Sequence, residues 1–214
     1  MKKSILIIGA GAGVSLATAE KFGKEGFAIG LVNRNAANAE VMIKQLSNKG
    51  IEVYSVTADV TDHITLKQAI DELTQKLNGV DVLLYNAAVL KNKDILEVDT
   101  AEFMDDFKVN VAAALKSVQV TLKCLKQSKG AILLTGGGFA THPSPKNGTL
   151  SIGKAGIRNL AMQLNERLIE EGIYVGTLTI TAKVSPDSPI HSPISLAQTY
   201  WEMFNSRTEV EIVI

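Results

Sequence analysis

Cysteine is almost absent. The 214-residue chain holds one, Cys124, which excludes an internal disulfide and any metal site built on paired thiolates. Its residual role is that of a small apolar side chain, and no metal is expected. Net charge is absent too: 22 Lys and Arg balance 22 Asp and Glu, so no bulk field draws the chain to nucleic acid or to an anionic membrane. Long apolar runs are also lacking. The opening "MKKSILIIGAGAG" imitates a leader, but Gly9 breaks its apolar core at once, and no later run could span a bilayer. These absences point to a cytoplasmic chain with no nucleic-acid and no membrane partner. With 46% hydrophobic residues, residues 1–214 suit one well-cored domain better than two small ones.

What the chain has instead is alternation. Short β-branched runs, "SILIIG", "AIGLVN", "EVYSVT", "DVLLYN", "AILLTG", "YVGTLTI" and "EVEIVI", are separated by amphipathic stretches at roughly 14–25, 36–49, 62–77, 101–127, 150–171 and 194–205. This predicts an α/β fold of the Rossmann type, a single doubly wound parallel sheet of about seven strands with helices on both faces. Two irregular stretches, Gly136–Gly148 and Thr181–Pro193, follow strands expected to be central. Ligands in such sheets bind beyond the carboxyl ends of the strands, so both loops should border a site.

After the first strand, "GAGAGVSLA" sets Gly9, Gly11 and Gly13 before a helix. Glycines there let the backbone turn sharply and approach a pyrophosphate, and the helix N-terminus offers free N–H groups. The strict G-x-G-x-x-G spacing fails at Val14. The second strand ends in Asn33 and Arg34 with no carboxylate. A carboxylate would accept from a ribose 2′-hydroxyl, whereas an arginine fork suits a 2′-phosphate, so NADP is favoured and NAD stays possible. A solvated arginine at a strand end is the plainer reading of Arg34. One residue breaks the helical pattern of 150–171: along Leu150, Lys154, Ile157, Ala161, Leu164 and Leu168, Lys154 falls on the stripe to be buried. A buried ammonium needs a polar partner, or its stem must snorkel out.

These pieces together resemble the short-chain dehydrogenase/reductase family over nearly the whole chain. Gly9 and Gly13 match glycines of T-G-x-x-x-G-x-G, with Ile8 for the threonine and Ser15 for the last glycine. "ADV", with Asp59 and Val60, matches the segment after the third strand, and "YNAA", with Asn86, Ala87 and Ala88, resembles N-N-A-G. Asn110 matches the asparagine of the long helix between the fourth and fifth strands, and Lys154 the lysine of Y-x-x-x-K. The resemblance implies a nicotinamide cofactor cradled by Gly9, Gly11, Gly13, Val14 and Ser15, by Asn33 and Arg34, by Asp59 and Val60, by Asn86 to Ala88, and by Thr181. It gives Lys154 the nicotinamide ribose as its partner, assigns Lys154 and Asn110 to the catalytic group, and implies a homodimer or homotetramer through the helix at 101–127 and the one bearing Lys154.

The chain departs from the family where protons are handled. Leu150 stands in place of the tyrosine, Gly137 in place of its companion serine, and "TAKV" at Thr181 in place of P-G, before a short substrate loop at about 181–193. His142 and His191, in the two loops, are candidate replacement acids, and each also reads as an ordinary loop histidine. Thr149 and Ser151 flank position 150, one of them a plausible helix cap; Tyr85 and Tyr200 are remoter donors. Two functions stay open: an NADP-dependent oxidoreductase acting on a small carbonyl or alcohol substrate with an altered proton donor, and a catalytically silent NADP-binding sensor or scaffold. A methyltransferase, which also uses a glycine-rich first turn, fits Lys154 and Arg34 less well.

Overall fold

A computed structural model describes residues 2–214. Seven strands form one fully parallel sheet: β1 (Ser4–Ile8), β2 (Ala28–Asn33), β3 (Val53–Thr57), β4 (Val82–Tyr85), β5 (Ala131–Thr135), β6 (Tyr174–Thr179) and β7 (Glu211–Val213). Their order is β3-β2-β1-β4-β5-β6-β7. The chain winds one way from β1 and then the other from β4, so the switch point opens between these two strands. Alternation decides which helices each strand meets. Leu6, Ile8, Leu83, Ile132 and Leu134 pack with α3 (His63–Leu77), α5 (Ala113–Ser128) and α6 (Gly148–Leu168). Ile5, Ile7, Leu31, Leu84 and Leu133 face α1 (Val14–Lys24), α2 (Ala36–Ser47) and α7 (Pro193–Ser206). Few aromatics are available, and four are pooled on this second face, where Phe22, Phe27, Trp201 and Phe204 meet mostly edge to face. Such pairs are worth about 0.5–1.5 kcal/mol each beyond the area they bury.

Helix starts follow the polar residues that precede them. Asn35, Asp62, Asp99 and Ser192 each accept from a backbone N–H of the first turn, and Pro193 takes the first position of α7, where no N–H is missed.

The helix expected over 101–127 is interrupted. It comprises α4 (Thr100–Phe107), one π-helical turn over Lys108–Ala112, and α5. The Tyr85 hydroxyl donates to the Val109 carbonyl within that turn, supplying a partner to a backbone group in the altered register. The helix expected at 150–171 begins instead at Gly148 and gives way to a 3-10 turn at Ile169–Glu171. Neither Thr149 nor Ser151 caps it: Thr149 donates to the buried Asp106 carboxylate, and Ser151 donates back to the Asn147 carbonyl.

Candidate functional site

At the switch point, the carboxyl ends of the strands open into a cleft of two parts. The smaller, about 200 Å³, lies beyond β1, β2 and β4 and is lined by Gly9, Ala10, Val32 to Arg34, Ala58, Val60, Asn86 to Val89 and Val109. The larger, about 890 Å³, runs from Gly11, Gly13, Val14 and Ser15 past Thr135 to Phe139 and on to Thr181, Ala182, Lys183 and Val184. Asn86 and Ala88 line both parts.

Gly9 makes the first turn possible. Its φ is +82°, and a Cβ would stand 2.4 Å from the Ala87 nitrogen, so only glycine fits there. A Cβ on Gly11 or Gly13 would meet nothing within 4 Å, and their backbone is open to close approach from the cleft. Ser15, which the family pattern would make glycine, is buried and donates to the Gly9 carbonyl at 3.1 Å, fixing the turn from the helix side.

A chain of hydrogen bonds runs behind this wall. The Asn86 Nδ2 donates to Ser15 Oγ at 2.8 Å, and its Oδ1 accepts from Thr135 Oγ1 at 2.8 Å. With that proton spent, Thr135 accepts from the Tyr200 hydroxyl, 2.7 Å away. The sequence alone does not bring Thr135 and Tyr200 together; its one signal is that Thr135 closes a central strand at its carboxyl end. Tyr85 and Tyr200 are fully buried, burial pushes both phenols well above the usual range, and neither lines the cleft, their hydroxyl protons being committed to Val109 and Thr135.

In the smaller part, Asn33 is 5% exposed, yet neither its amide nitrogen nor its oxygen has a partner. Polar atoms buried this way are normally paired, so an open partner at this wall fits a polar ligand. Arg34 beside it is exposed and makes no ion pair among the described residues. Asp59 is not part of the lining: its carboxylate turns back to accept from the Thr61 N–H and hydroxyl, which hold it below the usual carboxylate range.

On the floor of the larger part lies Lys154. Its Nζ donates to the Thr135 carbonyl at 2.7 Å, so the ammonium of the buried stripe already has a protein partner, in addition to any ligand. Its stem lies on Gly137, where a Cβ would stand 3.3 Å from Cγ, Cδ and Cε. Leu150, one helical turn earlier, supplies an apolar wall with Leu90, Phe139, Ile180 and Val184. Burial in this setting pushes the Lys154 ammonium down to about 8.

The other expected residues are dispersed. His142 lines the cleft from an exposed position, its Nδ1 3.0 Å from the Thr141 hydroxyl. His191 is not in the lining. Thr181 is, with its N–H and hydroxyl both on the Ile214 backbone oxygen. Asn110 stands behind the wall: Oδ1 accepts from the Val89 N–H at 2.8 Å, and Nδ2 has no partner. Gly153 leaves the room it occupies, since a Cβ there would stand 2.6 Å from the Asn110 Cβ.

Residues 3–185 match the family model described as short chain dehydrogenase. Among curated proteins, the chain is 26% identical over 190 residues to a 3-oxoacyl-[acyl-carrier-protein] reductase of Staphylococcus epidermidis, covering 84% of this chain and 78% of that one. It is 27% identical to an L-2,3-butanediol dehydrogenase of Corynebacterium glutamicum, covering 80% and 68%. Among solved structures, an alcohol dehydrogenase of Thermococcus sibiricus in complex with 5-hydroxy-NADP superposes with a TM-score of 0.88 at 21% identity, covering 99% of this chain and 95% of that one. A metagenomic short-chain oxidoreductase in complex with NADP gives 0.87 at 17%, covering 99% and 96%.

Proposed function

The chain belongs to the short-chain dehydrogenase/reductase family, and from that premise we propose that it is an NADP-dependent oxidoreductase interconverting a small carbonyl compound and its alcohol, with a proton donor other than tyrosine. The observation that carries this is the two-part cleft at the β1/β4 switch point, with Arg34 at one end and Lys154 at the other. Bound there, a nicotinamide cofactor supplies or takes up a hydride.

The residues fit such a group. Arg34 offers a guanidinium fork to a 2′-phosphate, and Asn33 an unpaired amide beside it. Gly11, Gly13 and Val14 bring the N-terminus of α1 to the pyrophosphate. Lys154 has ammonium protons beyond the one given to Thr135 and can bond a ribose. The larger part, with mostly apolar walls, has the size of a small-molecule pocket. Two structural neighbours, one in complex with 5-hydroxy-NADP and one with NADP, support the choice of cofactor.

Calorimetry tests the reading. NADPH should bind more tightly than NADH by about ten- to hundredfold, the worth of a charge-assisted contact, and Arg34→Ala should erase the difference. Equal affinities in the wild type would remove the NADP assignment. NADPH binding without turnover on a broad panel of ketones, aldehydes and diones would leave a cofactor-binding sensor or scaffold in its place. We also propose a homodimer or homotetramer, supported by the exposed Met104, Leu115 and Ile152 on α4, α5 and α6; light scattering at micromolar concentration checks it.

A further inference from the structure

The loss of tyrosine and serine leaves the proton itself to be assigned. Among the described residues, no carboxylate lines the larger cleft, and its titratable side chains are His142, Lys154 and Lys183. His142 and Lys183 are both exposed. Lys154 alone presents its charge from the floor, against the end of β5, between the helix that carries it and the strand ends.

We propose that the Lys154 ammonium is the general acid of this enzyme, giving its proton directly to the substrate oxygen. The assignment rests on the oxidoreductase reading above and goes beyond it. Three features of the site support it. Gly137 carries no side chain, so the lysine stem lies flush on its backbone. Leu150 offers no hydroxyl to interpose between Nζ and the substrate. The Thr135 carbonyl takes one N–H of Lys154 and fixes the nitrogen, leaving the others to the cleft.

The groups packed around Nζ favour proton release. The cleft lining that shares the site with Nζ holds Lys183 and His142 from the loops, Thr135 and Phe139 with the glycine backbone from β5 and the turn after it, and Leu150 from α6. Arg158, one turn further along α6, is committed to Glu211. With burial and no anion to hold the charge, the ammonium titrates near 8, the range in which a general acid works best at neutral pH.

In the reduction, the carbonyl carbon gains a hydride, for which reduced nicotinamide is the co-reactant, and the carbonyl oxygen gains a proton from Nζ. One N–H bond breaks and one O–H bond forms. The neutral amine recovers its proton from water at the cleft mouth. In the oxidation, the same amine accepts the alcohol proton.

Competitive labelling gives a readout independent of turnover. The apo protein is treated with trace acetic anhydride between pH 6 and 11, and each lysine is followed by peptide mass spectrometry. Lys154 should show its reactive midpoint near 8 and lose reactivity under saturating NADPH. A Lys154 midpoint near that of the other lysines overturns the proposal. In turnover, kcat/KM for an activated dione should fall on the alkaline side near pH 8. Lys154→Ala should lose about 10²–10⁴-fold and recover with added alkylamines, at rates that track amine pKa, a dependence that lost ribose binding alone does not produce. Calorimetry on the variant separates any loss of NADPH affinity. If Lys154→Ala keeps its turnover and alkaline limb, or if His142→Ala removes both, the donor assignment is wrong and the oxidoreductase reading stands. A wild type that binds NADPH and reduces nothing overturns both readings, and the labelling result then identifies only an acidic lysine.

Discussion

At Lys154, chemistry and stability pull in opposite directions. Burial lowers its ammonium from 10.5 to about 8, so between these values the unfolded chain holds a proton that the folded chain has released. Folding is therefore penalised fully below about pH 8, and the penalty is relieved as pH rises toward 10.5. By linkage, stability attributable to this group should rise by up to about 3 kcal/mol across that window. Denaturant titrations of the wild type and Lys154→Met at pH 7.5 and 10 check this, the wild type gaining on the variant at the higher pH. Gly9 makes a second, sterner demand. Gly9→Ala combines a φ of +82° with a Cβ 2.4 Å from the Ala87 nitrogen, and should cost about 1–3 kcal/mol or more, seen as a lowered denaturation midpoint together with weakened NADPH binding.

Among the elements, the π turn at Lys108–Ala112 separates what the sequence reveals from what it hides. Its single extra residue per turn leaves the apolar periodicity of 101–127 nearly intact, so pattern reading reports one unbroken helix. The hidden partner is the Tyr85 hydroxyl, 24 positions away in sequence, on the Val109 carbonyl. Tyr85→Phe should destabilise by about 1–2 kcal/mol through the carbonyl left unpaired, with faster amide exchange over 108–113 as its local sign. The seven strands, by contrast, are announced by their own alternation and by the turns between them, and Lys154 by its misfit on an apolar stripe. At Asp59 and Asn110 a matching motif indicates where the backbone goes, while the partners of the side chains, Thr61 and Val89, are set by the folded chain. The short β7 depends on a contact no local pattern contains, Arg158 in a two-pronged pair with Glu211, which also accepts from Thr179. The Arg158 guanidinium beside it holds the Glu211 carboxyl below the usual carboxylate range. Its contribution is present above the unfolded value and lost as pH falls through the lower folded one. The midpoint gap between wild type and Glu211→Gln should thus be full at pH 6 and close progressively below about pH 4.5.

Across the whole molecule, the bonds from Tyr200 through Thr135, Asn86 and Ser15 to the Gly9 carbonyl join α7 to α1 along the strand ends that carry the cleft. Each donor in the series is spent in one direction, so removing an inner member strands groups on both sides. Thr135→Val should cost about 1–3 kcal/mol and speed amide exchange in α1 and α7 together. Tyr200→Phe, at the end of the series, should cost less, and a double-mutant cycle should show the two to be non-additive. The contact between Gly137 and the Lys154 stem acts on another kind of distance, that between related sequences. Gly137→Ser places a Cβ 3.3 Å from three stem carbons, so the lysine stem must give by a few tenths of an ångström to admit it. The two positions are therefore joined through the lysine between them: what a side chain at 137 does to that stem, a side chain at 150 inherits, and a double-mutant cycle on Gly137→Ser and Leu150→Tyr reads the link as a departure from additivity.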